Sequence, residues 1–179
     1  MRPLKSAEYQ SVVDKLCKYI KDVSVLLERE DGSYSFMLHR DRVFYSKTSL
    51  AKHAATISKK HLLGFGTCIG RFSKSGNFRV HVTALDFLAP YAKHRVWVKP
   101  PAEQQFLYGQ HILKSGLARI SEDTPQYGGV VVLNVNDVPI GFGVAAKSTL
   151  QAKNTDPMTI VVFHQADVGE YIRSEESLI

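Results

Sequence analysis

The spacing of apolar positions changes several times along the chain. From Ser6 to about Lys21 they recur at Val12, Val13, Leu16, Tyr19 and Ile20, in steps of three and four. One face of a helix has that period, so an amphipathic helix is expected, with Ser6 and Glu8 near its start. "LLEREDGSYSFMLHRDRVFYS" reads instead as strand, turn and strand, with Asp31-Gly32 as one turn and the charged His39–Arg42 step as another. "SLAKHAATIS" returns to helical spacing. "HLLGFGTCIGRFSKSGNFRVHVTAL" predicts a hairpin in which Phe72 and Phe78 flank a Ser-Lys-Ser-Gly-Asn turn, and "ALDFLAPYAKH" is a short helix or turn ended by Pro90.

A different pattern begins near Arg95. "RVWVKPP" starts a strand stopped by Pro100-Pro101, and "AEQQFLYGQHILKSGL" follows as a helix. Gly- and Val-rich strands come next, in "YGGVVVLN", "VPIGFGVAAKS" and "MTIVVFHQ", separated by turn residues such as Asn136-Asp137 and Asp156-Pro157. The change places a domain boundary at about residue 94. An α+β chain is expected, with an N-terminal α/β domain of antiparallel sheet over 1–94 and a mainly β domain over 95–179.

Composition narrows the class. The chain is 44% hydrophobic and 10% aromatic, enough for packed cores. No apolar run reaches the ~18 residues of a transmembrane helix, so no membrane partner is expected. The first twenty residues lack the apolar stretch of a signal peptide. Cys17 and Cys68 have no CxxC or His spacing around them, which argues against a zinc site or a secreted disulfide scaffold. A reducing, intracellular setting is the expectation.

Charge points to an anionic partner, with nucleic acid the commonest. The net charge of +6 is unevenly spread: 1–94 carries 16 Lys and Arg against 8 Asp and Glu, while 95–179 carries 7 against 9. Within the second part, 95–120 is net +3 and 121–179 is net −5. "YGQHILKSGLARI", from Tyr108 to Ile120, therefore lies in a basic island of an acidic half.

Motifs for catalysis fail on inspection. "GFGTCIG" places its third glycine, Gly70, one residue late for a dinucleotide fingerprint and lacks a following helix, so a hairpin bend or bulge is the better reading. "GFGVAAKS" has Ala146 where a phosphate loop needs glycine before its lysine. No histidine pair has metal-ligand spacing, no GxSxG elbow presents a serine, and His81 reads as a strand residue. A non-catalytic binding module without cofactor or metal is expected.

The order of "RVWVKP", "YGQHILKSGL", "GGVVVLN", "VPIGFGVAAKS" and "MTIVVFHQADVGEYIR" resembles the PUA domain, a small RNA-binding pseudobarrel of pseudouridine synthases and archaeosine transglycosylases. Together with "RPL", "GTCIGRF", "FRVHVTALDFLAPYAKH" and "GFGVAAKST", these segments are very similar to the Nip-seven family, from Arg2 to about Arg173. The resemblance implies a monomeric, nucleolar assembly factor of the large (60S) ribosomal subunit. It implies binding to pre-rRNA in pre-60S particles alongside other assembly factors, and no catalysis. The alternative is an adaptor whose PUA half mainly docks proteins, motivated by the acidic 121–179 stretch.

In the PUA fold the first helix, the turn after it and the last strand usually face RNA. Carried onto this chain, that surface gives Gly109, His111, Lys114, Ser115 and Arg119, then His164 and Arg173; Lys147 and Ser148, at the end of "GFGVAAKS", are a second candidate pair. Lysine and arginine neutralise phosphate, while glycine lets backbone approach closely. Archaeal relatives carry more basic residues around the last strand, whereas here Asp167 and Glu170 oppose His164 and Arg173. Lys114 and Gly116 also have plain roles at a helix end, and Trp97 and Tyr108 read as core or interface. Arg71, Lys74 and Arg79 flank the predicted hairpin turn and extend the basic track into the first half.

Overall fold

The computed structural model describes residues 1–178. Strand β1 (Arg2–Pro3) leads into α1 (Ser6–Leu16), α2 (Ser24–Leu27) and β2 (Glu28–Arg29). The long hairpin β3 (Gly32–His39) and β4 (Arg42–Lys47) follows, then α3 (Thr48–Thr56), β5 (Thr67–Phe72), β6 (Phe78–Val80) and α4 (Leu85–Leu88). The strands form one antiparallel sheet in the order β1-β3-β4-β5-β6, with β2 added beside β3. Helix α1 stops at Leu16, earlier than the periodicity suggests. Tyr19 and Ile20 still bury their side chains, but from a turn whose Ile20 makes a β-bridge with Ala92.

The second half starts with β7 (Arg95–Val98) and α5 (Pro100–Leu107), in which the two prolines open the helix, where a missing N–H costs nothing. The rest comprises β8 (Ile112–Leu113), β9 (Leu117–Ile120), β10 (Gly129–Leu133), β11 (Pro139–Ala145), α6 (Thr149–Lys153), β12 (Ile160–Asp167), α7 (Glu170–Arg173) and α8 (Glu175–Leu178). The sheet order is β8-β12-β11-β10-β7-β9, and only the β7–β10 pair is parallel. Its two outer strands, β8 and β9, are joined by one 3-10 turn, Lys114–Gly116, so the sheet curls into a pseudobarrel. Register shifts in the β7–β9, β10–β11, β11–β12 and β12–β8 pairs supply the bends that closure needs.

One helix expectation is corrected here. The segment 102–117, expected as one helix, is helical only to Leu107; after it the chain becomes β8, a 3-10 turn and β9. Gly109, at φ 84°, ends the helix in a left-handed turn. Ile112 then pairs with Val162 and is buried in the barrel, which a continued helix would have prevented.

The barrel interior holds Val96, Val98, Phe106, Ile112, Val130 and Val132. The opposite face of β10 and β11 does not meet solvent. Val131, Leu133 and Phe142 join the N-terminal core with Leu16, Tyr19, Ile20, Phe78 and Leu88. Tyr19 and Phe142 touch edge to face at 5.1 Å, and the Lys93 backbone N–H donates to Tyr19 O at 2.8 Å. Burying a phenylalanine contributes about 1.5–3 kcal/mol, so fully buried Phe78 and Phe142 in one shared core fasten the two sheets together.

Candidate nucleic-acid interface

The residues singled out along the sequence fall into three places. Lys114 and Lys147 lie on either side of the start of β12, at one end of the barrel. The Lys114 N–H donates to Thr159 O at 2.9 Å and the Ala146 N–H to Val161 O at 2.8 Å, so the lysines flank the start of β12. Both are half-buried along their stems, and among the described residues neither ammonium has a hydrogen-bond or ion-pair partner. Ser115 is exposed beside them, with its backbone O accepting from Lys99 Nζ at 2.9 Å. Ser148 is already used: its Oγ accepts from Gln151 N at 3.3 Å while Gln151 Oε1 accepts from Ser148 N at 3.0 Å, capping α6. A β-carbon on Gly116 would stand 2.4 Å from that of Ala102, so this glycine lets the 3-10 turn pack on α5.

Gly109, His111, His164 and Arg173 form a second place. His111 is exposed; its Nδ1 accepts the His164 N–H at 3.1 Å and its ring meets Phe163 edge to face at 5.5 Å. That leaves Nε2 as the ring nitrogen available to a ligand. His164 and Arg173 converge on Asp167, whose carboxylate is fully buried. His164 Nε2 lies 2.6 Å from Asp167 Oδ2, and Arg173 Nη2 donates to the same oxygen at 2.8 Å. Asp167 Oδ1 accepts the Gly169 N–H at 2.8 Å. Arg173 also donates to Leu107 O, which clamps the end of α5. The Asp167 carboxylate raises the Arg173 pKa, while burial raises that of neighbouring Glu170. His164 and Arg173 therefore spend their polar groups on satisfying a buried anion.

The donor atoms of His164, Asp167 and Glu170 lie within 4.8 Å of one another, a grouping that spacing in sequence did not suggest. A cation there would have to displace the Arg173 guanidinium from Asp167. The chemistry of the set is that of an internal ion-pair network.

Arg119 lies apart from both groups. It sits on β9 at the far edge of the sheet, opposite Trp97, and its guanidinium lies 3.6 Å from the centre of the indole. Trp97 is only partly buried, and its Nε1 donates to Asp137 Oδ1 at 2.5 Å. Tyr108 is 70% exposed rather than core. The Asp167 network and the Arg119–Trp97 stack escaped sequence reasoning. Alternation along β12 and β7 was the only signal, and it cannot say which cation meets which anion.

In the N-terminal sheet Arg71 and Arg79 stand directly opposite each other on β5 and β6, and Lys74 lies at the exposed tip between them. Phe72 and Phe78 are likewise paired, with ring centres 5.3 Å apart, as the hairpin reading expects.

Comparison with known proteins bears on both halves. Residues 1–82 match the family model described as the NIP7/UPF0113 pre-PUA domain, and residues 94–176 match the UPF0113 PUA domain. The chain is 59% identical over 179 residues to a Xenopus laevis protein and to a Rattus norvegicus protein, covering 99% of each chain in both comparisons. Both relatives are named 60S ribosome subunit biogenesis protein NIP7 homolog. A PUA-domain structure from Aeropyrum pernix superposes with a TM-score of 0.65 at 13% identity, over 99% of this chain and 90% of that one.

Proposed function

This chain belongs to the NIP7/UPF0113 family, and on that premise we propose that it is a non-catalytic, RNA-binding assembly factor of the large (60S) ribosomal subunit. It acts on pre-rRNA within pre-60S particles in the nucleolus, as a monomer among other assembly factors. The observation that carries the reading is full-length identity of 59% to a protein named for 60S biogenesis. The Lys114 and Lys147 ammoniums beside β12, unpaired among the described residues, supply phosphate contacts, while Gly109, His111 and Ser115 offer backbone and hydrogen-bonding groups. His164 and Arg173 are committed to Asp167, Arg119 lies apart on Trp97, and Ser148 next to Lys147 caps α6.

The test uses purified protein and labelled single-stranded RNA. Lys114→Ala with Lys147→Ala should weaken binding and flatten the salt dependence by about 0.7 log units per lost phosphate contact. Affinity and slope equal to wild type would sink the assignment. A protein-docking role for the far face is the second reading. Consumption of His164 and Arg173 by Asp167, with Ile172 exposed beside Arg173 in the acidic half, favours it. Partners that stay bound to the protein after nuclease treatment would support that role.

A further inference from the structure

Three arginines stand in line across the N-terminal sheet. Arg42 on β4 pairs with Arg71 on β5, and Arg71 pairs with Arg79 on β6. Residues paired across antiparallel strands share a face, with β-carbons about 4.5–5.5 Å apart. Like charges in that relation repel. Among the described residues no acid forms an ion pair with any of the three. A sheet can hold such a row uncompensated at its surface, but the arrangement is suited to an anion with regularly spaced charges.

Arg71 and Arg79, two members of the row, line a cleft between the two sheets of about 780 Å³. Lys15 and Lys18, near the end of α1, add two cations to the wall that carries Arg71 and Arg79. Facing them across the cleft are Gln165 on β12 and Phe142 and Val144 on β11, with Glu170 as its one acid. A second cleft, of about 860 Å³, holds Arg40 and Arg42 with Asp41 between them, and Leu178 lines both clefts and marks where they adjoin. Arginines thus line both adjoining clefts, from the β3–β4 turn to the barrel, with Glu170 the acid of the first and Asp41 that of the second. His81 lies on the floor of the inter-sheet cleft. Burial, with Arg71 and Arg42 beside it, pushes the imidazole down to about 4, so it offers neutral hydrogen-bonding groups.

We propose that this inter-sheet cleft is a second RNA site, in which Arg71 and Arg79 track the phosphodiester backbone of a single strand, Arg42 extends the row into the adjoining cleft, and Gln165 meets its bases. The proposal rests on the RNA-binding reading above and adds a surface distinct from the Lys114–Lys147 end of the barrel. Guanidinium forks match phosphate oxygens in pairs, and a linear polyanion relieves the repulsion along the row at every step. Gln165 is exposed and can meet a base edge with both its amide donor and its acceptor. An acidic protein segment would satisfy the charges but would meet Glu170 on the facing wall and has no need of the exposed Gln165 amide.

The experiment follows fluorescence anisotropy of the full chain with a labelled, mixed-sequence single-stranded RNA, and separately with labelled poly-glutamate. Arg71→Gln with Arg79→Gln should weaken RNA binding about tenfold and flatten the log–log salt slope by about 1.4, from about 0.7 per phosphate. Arg71→Lys with Arg79→Lys should keep most of the slope while losing affinity, because the charge remains and the fork is lost. RNA binding that survives the glutamine pair but falls with Lys114→Ala and Lys147→Ala would overturn the second site and leave the first. Poly-glutamate binding lost in the glutamine pair, with RNA binding unchanged, would also overturn it. No RNA binding by wild-type protein at low salt would overturn both readings. If the glutamine pair fails to fold, arginine-selective labelling of wild-type protein decides. RNA should protect Arg71 and Arg79 from phenylglyoxal, and equal labelling with and without RNA would contradict the proposal.

Discussion

Arg119 lies flat on Trp97, its guanidinium carbon 3.6 Å from the indole centre, and the two residues are register partners on β9 and β7. The stack covers the outer edge of the barrel and, with the Trp97–Asp137 hydrogen bond, holds the indole in one orientation. A cation over an exposed aromatic face contributes about 0.5–1 kcal/mol. Arg119→Ala should lower unfolding free energy in urea by that amount. Because Trp97 is the sole tryptophan, its emission should shift to the red in the same variant. Unchanged emission would mean that the stack does not persist in solution.

The buried Asp167 carboxylate ties β12 to the end of α5 through Arg173 and Leu107 O. Removing one partner of a buried ion pair leaves the other uncompensated, at a cost of about 3 kcal/mol. Asp167→Asn should destabilise by about that much in denaturant titration. Arg173→Ala should cost less, since its guanidinium is partly open to water and His164 remains on the carboxylate. Equal losses from the two would contradict a hub at Asp167.

Two glycines should respond to alanine for opposite reasons. At Gly129 a β-carbon would stand 2.7 Å from Lys18 O and 2.8 Å from the Tyr19 ring, where the two sheets meet. Crowding of this kind costs about 1–3 kcal/mol, and Gly129→Ala should loosen the contact between the halves, read as faster hydrogen exchange at Tyr19 and Ile20. At Gly109 there is open space but φ is 84°, so Gly109→Ala should cost about 1 kcal/mol from backbone strain alone. Its hydrogen exchange at Tyr19 should match wild type.

His81 sets part of the acid response. Its folded pKa is depressed to about 4, first by burial and then by Arg71 and Arg42. The unfolded imidazole takes its proton near 6.5, so between about 6.5 and 4 the unfolded state binds more protons. Its contribution is complete above about 6.5 and is lost as pH falls through about 4. His81→Gln should flatten stability over that window, by on the order of 1–2 kcal/mol after allowing for partial solvent access. A stability–pH curve with unchanged slope would contradict the depressed pKa.

Local pattern made the N-terminal hairpins legible. Alternation plus Asp31-Gly32 and the Ser-Lys-Ser-Gly-Asn turn fixed both the strands and the Phe72–Phe78 pairing. The stretch 108–116 misled because Ile112 and Leu113 fit helical spacing from Phe106 as well as strand spacing. Its strand state comes from pairing with β12, nearly fifty residues on, which no local pattern encodes. The candidate site was half legible for the same reason. Lys114 and Lys147 stand out in sequence as basic residues, but their placement on either side of β12 depends on non-local register. The commitment of His164 and Arg173 to Asp167, and the alignment of Arg42 with Arg71 and Arg79, are likewise products of folding.

The most direct test of RNA binding in ribosome assembly is crosslinking of the tagged full-length protein to RNA in cells, with both the RNA and the crosslinked residues mapped. The expected result is crosslinks to large-subunit pre-rRNA, clustered near Lys114 and Lys147 and, for the second site, near Arg71 and Arg79. Recovery of partners without any pre-rRNA above background would contradict it.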